Sequence, residues 1–257
     1  MCRFIAYRGR PMLLEDLIAC PARSLIQQSL HAYESRSETN GDGFGIGWYG
    51  ERDLPGLYRE LRPAWSDENL RSLCAQVRSP LFFAHVRAAT DTSISRANCH
   101  PFSSGRLMFM HNGQIGGYKT IRRRLDTMIA DEHYPDRLGT TDSEAMFLIA
   151  LSLGLAANPV SAIETMLTRV TAEMKAAGIE DPLRFTAALT DGDALWAFRW
   201  ASDGDPATLY FERTEEGLIV ASEPFNEKRD EWIRVPSGHA LIARPGESVD
   251  MPPLKVA

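Results

Sequence analysis

Strand-type sequence lies at both ends of this 257-residue chain and helix-type sequence in its middle. That order suggests helices packed on antiparallel sheets. Cys2 to about Tyr7 reads as a first strand, and Phe44, Ile46 and Trp48 alternate as the start of another. Leu81–Val86 and Leu107–Met110 are compact apolar strands. After Asp181 come Phe185–Leu189, Leu195–Trp200, Thr208–Phe211, Leu218–Ala221 and His239–Ala243, with Asp191-Gly192 and Gly204-Asp205 as turns. Helical spacing covers Leu13–Ile18, Ser24–Tyr33, Tyr118 to about Ile129, and Ser143–Leu153. Ser66 is the expected cap of a helix with the stripe Leu70, Leu73, Cys74 and Val77. Ser161 and Glu164 form a capping-box pattern ahead of Ile163, Leu167, Val170 and Met174, with a stop at Gly178.

Composition excludes several functions. The net charge of −6 argues against broad capture of nucleic acid. No run of 18 apolar residues marks a membrane helix, and the N-terminus lacks a signal-peptide pattern, so the expected setting is cytoplasmic. The glycine run Asn40-Gly-Asp-Gly-Phe-Gly-Ile-Gly-Trp48 lacks phosphate-loop spacing. Its glycines permit tight turns and close backbone approach. Four cysteines occur without a Cys-x-x-Cys pair, so four free thiols and not a zinc site are expected; no cofactor is expected.

Cys2 differs from the other three because removing the initiator methionine makes it the first residue. Its α-amine, with a reference pKa of about 7.7 to 8.0, would then serve as base to its own thiol. The competing reading is a small buried cysteine. Arg87, at the end of an apolar strand, offers a planar fork for a carboxylate or a partner for a structural ion pair. Asn112 and Gly113 at the next strand end suit either an oxyanion hole or a turn. Asp142 stands where it can cap a helix or hold an ammonium group.

Taken in order, Met1-Cys-Arg-Phe, the glycine run, His85-Val-Arg-Ala-Ala-Thr, His100-Pro-Phe, His111-Asn-Gly and Thr141-Asp-Ser-Glu resemble the class II glutamine amidotransferase domain. This is an N-terminal-nucleophile (Ntn) hydrolase, and the likeness is to its small stand-alone members. Ala221-Ser-Glu-Pro-Phe and Trp232-Ile-Arg-Val-Pro-Ser-Gly extend it over nearly the whole chain. The resemblance implies an α+β fold, a four-layer αββα sandwich of two stacked antiparallel sheets between helical layers, spanning residues 2–257 as one domain. It implies that Cys2 forms a γ-glutamyl thioester, with Asn112 and Gly113 as oxyanion hole. Arg87, Thr90 and Asp142 would hold the substrate, and Trp48 and His100 would support the pocket. Fused relatives carry an aromatic and a histidine around the position of Arg87-Ala-Ala-Thr-Asp91, and both are absent here.

The implied substrate is a small molecule with a γ-glutamyl group. A separate synthase would accept ammonia if glutamine is that substrate. The alternative function is a binding or regulatory protein that retains the γ-glutamyl pocket with weak turnover. The sequence carries no signal for oligomeric state.

Overall fold

The computed structural model describes residues 2–32, 34, 39–89, 93–226 and 228–257. The first half of the chain runs β1 (Arg3–Leu13), α1 (Glu15–Ile18), α2 (Leu25–Leu30), β2 (Phe44–Trp48), β3 (Gly56–Glu60) and α3 (Glu68–Cys74). There follow β4 (Arg78–Val86), β5 (Phe102–Ser104) and β6 (Leu107–Ile115). Three helices come next: α4 (Tyr118–Asp126), α5 (Asp142–Ser152) and α6 (Pro159–Ala176). The last strands are β7 (Leu183–Thr190), β8 (Leu195–Ala201), β9 (Tyr210–Arg213), β10 (Gly217–Ala221), β11 (Ile233–Arg234) and β12 (His239–Ala243).

Two antiparallel sheets result. One has seven strands in the order β11-β9-β10-β1-β4-β2-β3, the other five in the order β12-β8-β7-β6-β5. Alternation along each strand assigns side chains to two faces. Phe4, Ala6, Phe83, Met108, Met110, Leu195, Val220 and Leu241 fill the space between the sheets. Ile5, Tyr7, Phe44, Ile46, Phe82 and Val86 face outward under α1–α3. Phe109, Phe185, Leu189 and Phe198 face outward on the other side, under α4–α6. The layers are therefore helix, sheet, sheet, helix, the four-layer arrangement that the sequence resemblance implied.

The glycines of β2 serve this stacking. Gly45 and Gly47 turn to the inner face, where a Cβ would come within 2.1 Å of the His100 carbonyl oxygen and 2.4 Å of the Met108 sulfur. No side chain fits there, so the His100-Pro101 segment lies directly on the strand.

Several sequence expectations shift. β1 does not stop at Tyr7 but continues to Leu13 through an irregularity in register between Arg8 and Met12, which displaces the expected helix to Glu15. Asp67, not Ser66, caps α3 by accepting from the Leu70 amide at 2.6 Å. α6 begins at Pro159, where a missing N–H costs nothing, so Ser161 is no cap. Glu164 instead accepts from the Lys255 amide. At its far end Gly178, with φ +68°, closes the helix, the Gly178 amide donating to the Lys175 carbonyl and the Ile179 amide to the Met174 carbonyl, as expected. α2 ends at Leu30, because His31 is already extended. Its expected last residue, Tyr33, lies outside the described residues.

The C-terminal segment runs back along β12. Ala240 and Ile242 donate to the carbonyls of Pro252 and Asp250, and Leu254 donates to Gly238. No helix among the described residues is long and apolar enough to cross a membrane.

Phe109 sits at the centre of the outer core, stacked on Phe147 at 5.3 Å and near Phe185 at 6.2 Å. Phe109→Ala should lower unfolding free energy by about 3–5 kcal/mol. Urea denaturation measures this; a loss under about 1 kcal/mol would mean that the layer collapses around the gap.

Candidate active site

The site forms where the ends of β1 and β4 meet β6 and the start of α5; the Asn112-Gly113 pair is not a turn, because β6 continues through it to Ile115. Cys2 precedes β1 on the parity of Phe4 and Ala6, and so points between the sheets. Arg87 follows β4 on the parity of Phe83. Since Arg3 pairs with Val86, the two strand ends lie side by side. On β6, Asn112 shares the inward parity of Met108 and Met110, while His111 turns outward to α5. A cavity of about 390 Å³ is lined by Cys2, Arg87, His100, His111, Gly113 and Asp142, together with the 114–120 segment that opens α4.

The Cys2 sulfur lies 3.4 Å from the Ala88 amide, which donates to it, and 3.6 Å from the Ala88 carbonyl. Burial pushes the thiol above its ordinary value, opposed by the Ala88 amide and by the Arg87 and Arg3 cations. A resting thiol of this kind needs a base.

Arg87 is buried, and its guanidinium donates to the carbonyls of Asp42 and Ser93 at 3.3 and 3.4 Å. Its backbone is held on both sides, by Gly43 and by the Asp42 amide. The Asp42 carboxylate then accepts from the Ala89 amide at 2.7 Å. Asp42 thus braces the Arg87 segment, a role not read from the sequence.

Asp142 is the first residue of α5, but it is not the cap. Thr141 caps the helix, accepting from the Glu144 amide at 3.2 Å. The Asp142 carboxylate instead accepts from the amides of Ile115 and Ser143, each at 2.8 Å, and borders the cavity. This anchors the anion to β6 and to its own helix. Behind it, Glu144 pairs with Arg137 and accepts from the amides of Leu138 and Gly139. Arg137 also donates to the Tyr118 hydroxyl at 2.6 Å, so one buried network ties α4, α5 and the 137–141 segment. Asn98 links the opposite rim, donating to the Ser93 carbonyl and accepting from the Thr140 amide.

Asn112 is 1% exposed, and its side-chain amide makes no protein hydrogen bond. A buried amide left so costs about 1–3 kcal/mol; Asn112 adjoins His111 and Gly113, which border the cavity, but is not itself among the bordering residues. Next to it, Gly113 has no room for a side chain: a Cβ would lie 1.9 Å from the Arg184 carbonyl oxygen. The His111 ring bridges Ser143 at 2.8 Å and the Arg184 carbonyl at 3.2 Å. Because a carbonyl only accepts, Nε2 carries the proton and Nδ1 accepts from Ser143.

His100 lines the cavity and stacks on His85 at 4.2 Å between ring centres. Neither ring makes a protein hydrogen bond of ordinary geometry. Trp48 is not brought to the cavity. It shares the outward parity of Phe44 and Ile46, opposite Phe82 and Gly56 at the far end of β2, and packs on the α1–α3 side. Thr90 lies outside the described residues. Among those described, no three His, Cys, Asp or Glu side chains converge as metal ligands do.

Residues 18–204 match the family described as glutamine amidotransferases class-II. The chain belongs to that family. It is 33% identical to the probable glutamine amidotransferase DUG3 of Saccharomyces cerevisiae, over 95% of this chain and 82% of the yeast protein. It is 30% identical to the γ-glutamyl-hercynylcysteine sulfoxide hydrolase of Mycolicibacterium smegmatis, over 98% of this chain and 100% of that one. Among solved structures, a glutamine aminotransferase class-II domain protein from Silicibacter pomeroyi superimposes with a TM-score of 0.78 at 36% identity, covering 98% of this chain and 99% of the other. The chain is thus an amidotransferase-type enzyme of the Ntn-hydrolase fold.

The imidazoles beside this site are held neutral. Burial pushes His85 down to about 3, and it lowers His100 and His111 as well. Each takes up a proton more readily when unfolded, so its contribution is intact above about pH 6.5 and lost as pH falls toward the folded value. His85→Leu should reduce the pH slope of unfolding free energy by up to about 1.4 kcal/mol per pH unit between about pH 6 and 4. Urea midpoints across that range measure it, and an unchanged slope would contradict a neutral buried His85.

Proposed function

We propose that this enzyme cleaves the side-chain amide of glutamine or of a γ-glutamyl amide through a thioester on Cys2, as one catalytic unit of residues 2–257. The observation that carries the reading is the shared cavity. A thiol, a guanidinium and a carboxylate border one space, with an unpartnered buried amide, Asn112, beside Gly113.

The chemistry follows from those positions. With the initiator methionine removed, the Cys2 amine takes the thiol proton and the sulfur attacks the amide carbon. Negative charge developing on the carbonyl oxygen is met by the Asn112 side chain and the Gly113 N–H. The amine then returns its proton to the departing nitrogen, and ammonia or an amine leaves. Water cleaves the thioester and releases glutamate. At the other end of the substrate, Arg87 takes the α-carboxylate and Asp142 the α-ammonium. His100 closes the pocket wall without moving a proton.

Two products separate the substrate classes. Glutamine yields ammonia, which a separate synthase would accept; a γ-glutamyl amide yields an amine and needs no acceptor. The name of the Mycolicibacterium relative, a hydrolase matched over its full length, favours the second class.

A diazoketone analogue of glutamine should alkylate Cys2 alone, adding its mass less the dinitrogen that leaves, and Cys2→Ala should abolish glutamate release from glutamine and a panel of γ-glutamyl amides. Turnover by Cys2→Ala, or by a preparation fully retaining Met1, sinks the assignment. An unlabelled, inactive wild type would favour a binding protein.

Recognition is tested separately. Removing the α-carboxylate of a substrate should slow wild type strongly but slow Arg87→Ala hardly further. Removing the α-amine should behave likewise with Asp142→Asn. Measured kcat/KM values expose this coupling; penalties that simply multiply would refute recognition of a zwitterion.

A further inference from the structure

Alternation along β1 sends Cys2 into the cavity and turns Arg3 the other way, to the face of Ile5 and Tyr7. Arg3 is 0% exposed. A guanidinium with no solvent contact is costly unless it is paired. Its Nε lies 3.4 Å from the carboxylate of Glu223, itself buried, and its Nη1 donates to the Cys2 carbonyl at 2.9 Å. The same Glu223 oxygen accepts from the Glu34 amide at 2.8 Å. Beside the pair, Ser222 and Phe4 are joined twice: the Phe4 amide donates to the Ser222 hydroxyl, and the Ser222 amide to the Phe4 carbonyl, each at 3.0 Å. Neither Arg3 nor Glu223 borders the cavity.

We infer that Arg3 is a positioning residue for the nucleophile, holding the Cys2 carbonyl through the buried Arg3–Glu223 pair and thereby placing both the thiol and the α-amine of that residue. The inference rests on the N-terminal-cysteine reading. A first residue has no preceding peptide to anchor it, so its place must be set from the carboxyl side. The Arg3 bond holds the peptide plane and hence the Cys2 Cα. The Ala88 amide contact to the sulfur then limits rotation about the remaining Cα–C bond. The guanidinium also adds a positive charge beside the thiol. Just after β4, Arg87 adds a second; His100, His111, Lys119, Arg122, Asp142 and Asp181 border the same cavity, and Glu223 and Glu34 oppose Arg3 from behind.

The test uses Arg3→Gln, Arg3→Lys and Glu223→Gln in the full chain, each checked by intact mass for a free Cys2 amine. Two rates are read at Cys2 by peptide-resolved mass spectrometry. One is saturable inactivation by the diazoketone analogue of glutamine; the other is alkylation by iodoacetamide as a function of pH. Arg3→Gln should cut the limiting inactivation rate about 10- to 100-fold while leaving the half-saturating concentration nearly unchanged. It should also raise the pH midpoint of alkylation, because a cation is lost. Glu223→Gln keeps an acceptor for the Glu34 amide but removes an anion, so its midpoint should move the opposite way. Arg3→Lys should hold the wild-type midpoint yet inactivate slowly, since it lacks the fork.

Variants that melt earlier but react at the wild-type rate and midpoint would make Arg3 an ordinary core ion pair. If Arg3→Gln fails to fold, Glu223→Gln decides alone: an unmoved midpoint and rate overturn the inference. Failure of Cys2 to react with the diazoketone in wild type overturns the underlying reading, whereas wild-type labelling with indifferent variants overturns the positioning role only.

Discussion

The pairing of β1 with β4 is the constraint on which the site depends. Antiparallel register places Arg3 opposite Val86, so the residue before one strand and the residue after the other become neighbours at the same end of the sheet. Both have the parity of the inter-sheet face. A shift of one residue in either strand would turn its functional side chain toward the helical layer. The register is secured far from the site, by Tyr7, Phe82 and Ile219 under the helices and by Phe83 and Val220 between the sheets. Packing energy spent on the core therefore fixes the chemistry at its rim.

Around the cavity, charge comes from several elements. Arg87 follows a strand of the seven-stranded sheet, Asp142 opens a helix on the five-stranded one, Lys119 and Arg122 come from α4 and Asp181 from the segment before β7, with the buried imidazoles of His100 and His111 on the same wall. In such surroundings a charge is screened less than in water and acts over a longer reach. α5 makes this possible, since it is buried from Ser143 to Leu151 and offers solvent no polar face. Its first turn carries Asp142, Ser143 and Glu144, each hydrogen-bonded to a neighbouring element: Asp142 to the Ile115 amide, Ser143 to His111 and Glu144 to Arg137.

Much of this was legible in the sequence, and for identifiable reasons. Strands such as His239–Ala243 are short, apolar and bounded by turn residues, so period and punctuation agree. The ordered motifs, through their resemblance to a known family, pointed to Cys2, Arg87, Gly113 and Asp142, which the structure gathers around one cavity. What escaped was set partly by contacts distant in sequence and partly by local geometry that neighbouring candidates share. β1 outruns its apparent end because Ser79 and Arg78 pair with Met12 and Leu13. Asp67 takes the cap from Ser66 because its carboxylate meets the Leu70 amide. Trp48 ends the glycine run and looks attached to the site, yet strand alternation turns it to the opposite layer. Asp42, Asn98 and Glu223 are polar residues in loops, and only the fold shows which backbone groups they hold.

The strip of chain laid along β12 bears on how the protein meets copies of itself. An open sheet edge offers unpaired amides and carbonyls that another strand can join. Here the five-stranded sheet has one edge occupied by its own terminal segment, through bonds from Ala240 and Ile242 to Pro252 and Asp250. The occupying segment is itself a weak template, because residues 250, 252 and 254 bond toward β12 and Pro253, which faces outward, has no N–H to offer. The strip thereby takes up the bonds that a strand from another copy would need on β12.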